Sequence, residues 1–437
     1  LALADSATAS NADPPRDVHR QIVAIREAIA DKDTERGGSG VTWSGGWPLD
    51  PSEYLPKFSD TASALAEFEQ MRRGDPTIAA LLRATTLPIL GATWKVEAPD
   101  DDTTSDDEKR AADDASAMLF DGMDEVTFEQ FLRTLLGFLW AGFSVHEIVW
   151  RVRAGRVGVS RLAHRLPATI QEWRRDTATG RLTEITQQNA NRPDGSAALP
   201  MPRGKCVLAT WEQEGDDPRG NSALRVVYRP WYLKLNMERW EGVALERQAV
   251  GLPVLTLPDI PLFRDKDKSA AADIIRDLRS HQKGYAILPH GYTVSLLDQG
   301  RGKVLDPSES IKRHDIAISR AFLAQFLFLG ATESGSRALG DSFKDLFLLS
   351  LEAVSRFAAM VVRRDVLSQW TAYNYGPKVR PPTLSASNIQ TTDVAKLADI
   401  LAKLTQAQVL RPDDTLESYV REVAGLPSAE ERAEGAA

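Results

Sequence analysis

Hydrophobic residues recur every three or four positions from Thr61 onward, which is the spacing of an amphipathic helix. Asp75 and Pro76 open a second helix, because proline is tolerated in the first turn. We expect this helix to end before Pro88, since proline lacks an amide and clashes with the preceding turn. The pattern thus begins with two consecutive helices.

The spacing then changes to the alternation of half-buried strands, starting at Trp94. The acidic run over residues 100–108 is expected to be a loop, and residues 126–142 predict one apolar helix. Further alternating stretches predict a hairpin that turns at Ala154-Gly155, a second hairpin within residues 169–185 and a strand over residues 205–211. The first half of the chain is therefore α+β.

Helical spacing returns after a turn-rich loop at residues 212–222. A long helix follows, with a kink or restart expected at Pro230. Short strands and a charged helix over residues 252–305 predict a small α/β insertion. A helix from Asp306 to about Leu329 comes next, because the Asp-Pro-Ser-Glu start resembles a capping box.

Glycine, serine and threonine dominate residues 330–341, which we expect to be a loop. A strongly apolar helix follows from Ser342 to about Trp370. Two amphipathic segments, residues 392–404 and 414–423, predict terminal helices. Residues 1–60 show little periodicity, and we expect an arm that only its neighbours order.

Composition narrows the possible functions of these 437 residues. One cysteine excludes an intrachain disulfide and, with six scattered histidines, a thiolate zinc cluster. The longest apolar runs are too short to span a membrane, and no export signal opens the chain, so we expect folding in a reducing cytoplasm. A net charge of −8 disfavours ordinary DNA binding. A DNA conduit is a different case, because duplex must slide past its wall without sticking to it.

No catalytic or phosphate-binding motif emerges from the residues. His146-Glu147 starts like a zinc-protease helix, but Trp150 stands where the second histidine is needed. Gly204-Lys205 lacks the upstream glycine and the hydroxyl residue of a phosphate-binding loop. Lone Cys206, within an apolar strand, is interpreted as a small core residue. We therefore expect no enzyme, no metal and no cofactor.

Three segments in fixed order resemble the Mu-like portal family of tailed bacteriophages. The first, residues 220–258, has the family's Gly-Asn start, aromatic-Pro-aromatic stretch and Glu-Arg-x-x-x-Gly-x-Pro ending. The second, residues 314–354, has a polar-start helix, a Gly-Ser-Thr loop and a following helix. The third runs from Asp75 through Trp94. The resemblance covers about residues 60–425.

This resemblance implies a portal fold with a wing, a two-helix stem, an α/β clip, a tunnel loop and a helical crown. The implied boundaries are an N-terminal arm at 1–60, wing 61–222, stem 223–250 and 306–329, clip 251–305, tunnel loop 330–341, tunnel helix and return to the wing 342–385, and crown and tail 386–437.

The resemblance also implies roles for particular residues. The channel-facing loop would present Gly330, Thr332, Glu333, Ser334, Gly335, Ser336, Arg337 and Gly340 to passing DNA. The clip would dock the motor and later the connector through Arg264, Lys266, Lys268, Arg276 and Arg279. Stem packing would involve Trp231, Lys234, Trp240, Glu246 and Arg247. The plainer interpretations are a helix connection for the loop and a solvated surface for the clip.

The implied function is a ring, usually of twelve copies, that conducts double-stranded DNA during packaging and ejection at one capsid vertex. Implied partners are the large terminase subunit, the major capsid protein and scaffold, and a head-completion adaptor, with no membrane. The protein would act in the virion after assembly in the host cytoplasm. Two alternatives remain: another phage structural component from the tail or baseplate, and a metal-dependent enzyme that processes phage DNA or protein.

Overall fold

A computed structural model describes residues 39–44, 47–49, 53–176, 179–188, 198–250, 252–256, 269, 272–273, 293–297, 307–325, 337–389 and 403. Helices and strands pack there around a shared hydrophobic core. The α+β class expected from the sequence is confirmed. None of the described helices has the length and apolar character needed to cross a membrane.

The first two helices are α1 (Thr61–Gly74) and α2 (Pro76–Leu90). Asp75 caps α2, since its Oδ1 accepts a hydrogen bond from the Ile78 amide at 3.0 Å. The expected end before Pro88 is wrong. Ile89 is fully buried and its carbonyl accepts from the Trp94 indole at 3.0 Å, so tertiary contacts hold the last turn despite the missing amide.

An edge pair of strands and a capped helix follow. Strand β3 (Thr93–Glu97) pairs antiparallel with β12 (Thr383–Ser387) near the end of the described chain. Helix α3 (Asp106–Phe120) starts inside the acidic run that we expected to be a loop. The reason is a capping box, in which Ser105 and Glu108 bond each other's backbone amides.

The single apolar helix expected over residues 126–142 is instead two, α4 (Phe128–Leu135) and α5 (Phe138–Ala141). The second ends at Gly142, whose φ of +87° is in the left-handed region. A Cβ there would lie 2.5 Å from the Arg219 carbonyl oxygen, so the chain passes too close for any side chain.

Two three-stranded antiparallel sheets form the β part. In the first, β4 (Phe143–Arg153) lies between β5 (Arg156–Arg165) and β9 (Cys206–Thr210). The second has the order β6 (Ile170–Arg175), β7 (Leu182–Gln188), β8 (Ala198–Pro202). Both predicted hairpins and the strand near residues 205–211 are confirmed. Strands β8 and β12 were not predicted.

Residues before Thr61 already belong to the folded body. Strands β1 (Thr42–Ser44) and β2 (Trp47–Leu49) form a hairpin. Glu53 accepts hydrogen bonds from the Arg225 guanidinium at 2.7 and 3.2 Å, and Phe58 packs edge-on against Tyr228 with ring centroids 4.8 Å apart. These contacts anchor the part of the expected arm that the structure describes.

Helix α6 (Ala223–Val250) runs through Pro230 without the expected restart. The carbonyl that loses its partner belongs to Val226, which is exposed, so water can reach that part of the helix. Helix α7 (Ser308–Ala321) ends eight residues before the predicted Leu329. Leu323 takes a φ of +55°, and the Ala324 amide bonds the Ser319 carbonyl at 3.0 Å, which closes the helix as a Schellman motif.

Helix α8 (Arg337–Val362) begins five residues before the predicted Ser342. It continues as a π-helical turn over Arg363–Leu367 and then as α9 (Ser368–Tyr375). Between α6 and α7, strands β10 (Leu252–Thr256) and β11 (Thr293–Leu297) pair antiparallel, as an α/β insertion requires. Of the other elements expected in residues 257–292 and of the two terminal helices, the structure describes only residues 269, 272–273 and 403, which are helical.

Candidate assembly site: the α6–α7 helix pair and its anchors

Helices α6 and α7 pack side by side, and the sequence of α6 shows which face turns inward. Leu224, Val227, Trp231 and Lys234 follow one another at intervals of three and four residues, and all four are buried. Three are apolar. The fourth, Lys234, is only 3% exposed, so its charge must be met by partners inside the protein.

Two carboxylates from different helices meet the Lys234 ammonium. Its Nζ lies 2.7 Å from Asp315 Oδ1 of α7 and 3.0 Å from Asp75 Oδ2 at the start of α2. Thr77 donates a 2.8 Å hydrogen bond to Asp315 Oδ1 as well. Three elements that are distant in sequence therefore meet at one buried cluster, which we call the Lys234 cluster (Asp75, Thr77, Lys234 and Asp315).

The Lys234 cluster keeps its lysine charged. Burial lowers the pKa of Lys234, but the hydrogen bonds from its ammonium to Asp315 and Asp75 outweigh burial and raise that pKa. Asp75 and Asp315 are its two hydrogen-bonded carboxylates, and Glu238 Oε1 lies 3.9 Å from the same ammonium, so the cluster is an ionic junction. Its role is structural, because it fixes the position of α6 and α7 on α2.

The other residues expected to pack along α6 divide into three groups. Trp231 is buried beside Tyr228, with ring centroids 5.8 Å apart. Trp240 is 67% exposed and has no packing role within the described part of its own chain. Glu246 and Arg247 lie in the last turns of α6, and their side chains fall outside the described residues.

Most residues of the expected channel loop, and all five of the clip, lie outside the described residues. The exceptions are Arg337 and Gly340, whose backbone is helical in the first turns of α8. The expected loop therefore extends no further than residue 336. Outside the described part are Gly330, Thr332, Glu333, Ser334, Gly335 and Ser336 of the loop, and Arg264, Lys266, Lys268, Arg276 and Arg279 of the clip.

A second buried ionic junction, which the sequence did not predict, fixes the π-helical turn. Asp365 is 4% exposed and accepts hydrogen bonds from Arg203 at 3.0 and 3.2 Å and from Arg364 at 2.9 Å. Its Oδ2 also accepts from the backbone amide of Leu208 in β9 at 3.0 Å. One carboxylate thus ties a helix to a strand. The available signal was Asp365 next to Arg363 and Arg364, a charged group between apolar residues of a long helical pattern.

His146 and Cys206, the two residues that the sequence singled out, are both buried in the core. His146 is fully buried, and its Nε2 lies 2.8 Å from the Thr134 hydroxyl, which itself donates to the Phe131 carbonyl. Burial also raises the pKa of the Cys206 thiol to about 12. Across the described residues, no three His, Cys, Asp or Glu side chains are grouped closely enough to hold a metal ion.

Comparison with sequence families gives one match that extends over most of the chain. The model that describes the portal protein of Mu bacteriophage matches residues 65–426. The matched range contains α6, α7, the Lys234 cluster and the Asp365 junction.

Comparison with solved structures gives three chains to which this chain is similar. A chain in the virion of a native gene transfer agent particle is 13% identical, with a TM-score of 0.54, and the match covers 94% of this chain and 99% of that chain. A chain in the neck of an empty gene transfer agent particle, computed with C6 symmetry, is 13% identical, with a TM-score of 0.51. That match covers 83% of this chain and 94% of that chain. An HK97 family phage portal protein from Corynebacterium diphtheriae is also 13% identical, with a TM-score of 0.42. That match covers 77% of this chain and 96% of that chain. The first two likenesses show a shared fold.

Proposed function

The chain belongs to the family of Mu bacteriophage portal proteins, and we propose that it forms a ring at one capsid vertex through which double-stranded DNA enters and leaves. The family match over residues 65–426 carries this proposal. The role is that of a portal in the head-tail connector of a virion. We propose twelve copies per ring, the number that the family resemblance implies.

The charge and the buried junctions support a conduit. A chain with a net charge of −8 does not gather phosphates over its whole surface, so duplex can move without being held. The Lys234 cluster fixes α6 and α7 on α2, and the Asp365 junction fixes the α8–α9 helical run on β9. Both junctions stiffen the subunit, as a ring that bears packaging force requires.

We assign the stem to residues 223–250 and 306–329, with α6 and α7 as its described helices. We assign the wing to residues 61–222, the clip to 251–305, and the crown and tail to 386–437. We assign the connection that would face the channel to residues 330–336, since α8 already begins at Arg337. Its glycines at 330 and 335 permit positive φ, and its hydroxyl groups offer weak, exchangeable hydrogen bonds to phosphate.

Docking of the packaging ATPase is assigned to the clip. Basic side chains at Arg264, Lys266 and Lys268 would meet acidic groups on the large terminase subunit, and later on the head-completion adaptor. The capsid protein and scaffold would contact the wing. The chain itself would hydrolyse nothing and hold no cofactor, because the ATPase supplies the energy.

Clip docking is tested by replacing Arg264, Lys266 and Lys268 with serine. The control replaces three exposed basic residues assigned to the wing side, Lys109, Arg153 and Lys378. We expect both variants to form rings, while only the clip variant loses capture of the large terminase subunit in a pull-down. Equal capture by both variants would contradict the assignment of docking to the clip.

The channel role of the loop is tested separately. Replacing Gly330 and Gly335 with alanine restricts the loop, whereas the same change at Gly340 alters a helical position. We expect rings from all variants, and slower DNA packaging in a purified motor assay only for the loop variant. Unchanged packaging by the loop variant would show that loop flexibility is not used.

A further inference from the structure

Helix α6 carries an apolar stripe that nothing in the described part of the chain covers. Val226, Leu233 and Trp240 are spaced at intervals of seven residues and are 73%, 37% and 67% exposed. Seven residues are close to two helical turns, so the three side chains form one line along the helix. Arg229 lies in the same line and, among the described residues, has no ion-pair partner.

A second uncovered stripe lies on α8. Leu346, Leu349, Ala353 and Met360 lie at intervals of three, four and seven residues on the face opposite the buried Leu351, and the exposed Arg356 lies between Ala353 and Met360 on the same face. Leu346, Leu349 and Met360 are 49%, 56% and 51% exposed.

Acidic residues border this second stripe on one edge. Asp345 and Glu352 are seven residues apart and lie beside Leu349, so they form a row parallel to the leucines. Neither carboxylate has an ion-pair partner within the described residues. The free Arg229 of α6 and this free acidic row of α8 are therefore electrostatically complementary.

We propose that the α6 stripe (Val226, Arg229, Leu233 and Trp240) of one copy packs on the α8 stripe (Leu346, Leu349, Ala353 and Met360) of the next copy. A ring is built from head-to-tail contacts, so each subunit must present two different faces that fit each other. Two separate apolar helix faces with matching spacing and opposite charge meet this requirement. The pairing rests on the proposed ring and names the surfaces that close it.

Heptad spacing on both helices favours knobs-into-holes contact between them. In that contact Trp240 is the large aromatic anchor, which is the residue type that interfaces use most. Arg229 would reach the acidic row of Asp345 and Glu352. Trp240 is exposed in the single chain because it belongs to the interface between copies.

Cysteine crosslinking of assembled rings tests the pairing. The chain has one native cysteine, Cys206, which is buried and has a raised pKa, so introduced cysteines dominate the reaction. We would combine Leu233→Cys with Leu349→Cys and treat the rings with a flexible bismaleimide that tolerates a shift in register. The control pair combines Val152→Cys, a site on β4 that is more exposed than Leu233, with Leu349→Cys.

Head-to-tail pairing predicts a covalent ladder far above the dimer for the Leu233/Leu349 pair and only background for the control pair. Mixed rings of the two single-cysteine chains should give dimers and nothing larger. Dimers from Leu233→Cys alone would overturn the proposal, since they indicate a symmetric contact. Rings that crosslink no better than the control pair would overturn it while leaving the portal function intact.

Charge reversal provides an independent test. Arg229→Glu and Glu352→Arg should each lower the fraction of chains in rings at least several-fold, and the double variant should restore most of it. Urea unfolding of each variant confirms that the subunit still folds. Two single variants that assemble normally, or a double variant without rescue, would overturn the pairing. Absence of rings from the wild-type chain would instead overturn the proposed function, and the pairing with it.

Discussion

Lys234 and Asp315 join the two paired helices through a 2.7 Å ion pair between Nζ and Oδ1, in a site where the lysine side chain is 4% exposed. The pair does not stand alone, because Asp75 at the start of α2 holds the same ammonium. Removing one partner of a buried ion pair leaves an uncompensated charge, which is far more destabilising than removing a surface pair. We therefore expect the helix pair to be sensitive to substitutions in the Lys234 cluster.

Lys234→Met should lower the free energy of unfolding by about 3–5 kcal/mol, because the buried Asp75 and the partly buried Asp315 lose their cation. Lys312→Met is the matched control, since Lys312 pairs with Glu309 on the exposed side of α7. The Lys312→Met variant should change the free energy of unfolding by less than about 0.5 kcal/mol. Urea midpoints measure both, and equal midpoints for the two variants would contradict the role of the cluster.

Asp365→Asn should destabilise the contact between the π-helical turn and β9. The amide cannot balance Arg203 and Arg364, and its NH2 group would face donors instead of accepting from them. We expect a loss of about 2–4 kcal/mol by urea unfolding. Asp113→Asn, on an exposed face of α3, is the control and should have almost no effect. A native-like midpoint for Asp365→Asn would show that the junction contributes little.

Acid should destabilise the protein through His146. His146 Nε2 lies 2.8 Å from the Thr134 hydroxyl, and its buried Nδ1 has no partner among the described residues. Burial lowers the pKa of His146 well below its usual value, and the neighbouring His164 and Arg165 lower it further. The unfolded chain therefore binds a proton that the folded chain does not, and stability falls as the pH drops below about 6.5.

The measurement is the urea midpoint at pH 7.5 and at pH 5.5. His146→Asn should remove most of the loss seen in the wild type between these values. His164→Asn should remove less, because His164 is only partly buried and its pKa is lowered less. A wild-type midpoint that rises on acidification would contradict this account.

Cys206 should be unreactive in the folded protein. Its thiol pKa is raised to about 12 by burial, and thiolate is the reactive form. We expect no release of thionitrobenzoate from Ellman's reagent at pH 8 until urea is added, and then one equivalent per chain. Fast labelling under native conditions would show that β9 opens readily, and would call for a cysteine-free background in crosslinking.

Local patterns predicted the elements that local chemistry determines. The hairpin at Ala154-Gly155 followed from strict alternation around a turn dipeptide, and the start of α2 followed from the Asp75-Pro76 cap. The capping box at Ser105 and Glu108 was equally local, but the surrounding acidic run hid it. The predicted helix end at Pro88 and the predicted restart at Pro230 failed for another reason. Tertiary contacts at Pro88 and solvent at Pro230 compensate for the missing amide.

The buried junctions could not be predicted, because their members are far apart in sequence. Asp75 and Lys234 are separated by 159 positions, and Arg203 and Asp365 by 162. Residue type alone does not distinguish Lys234 from a solvated helix lysine, and no local pattern identifies its two carboxylate partners. Its buried face becomes visible only when the spacing of Leu224, Val227 and Trp231 is extended by one more step.

The measurement that tests the central claim most directly is negative-stain electron microscopy of the purified chain with class averaging. A portal predicts closed rings, about twelve copies in projection, with an axial channel wide enough for B-form duplex. Only compact monomers at high concentration, with capsid and scaffold proteins also unable to induce rings, would contradict the account.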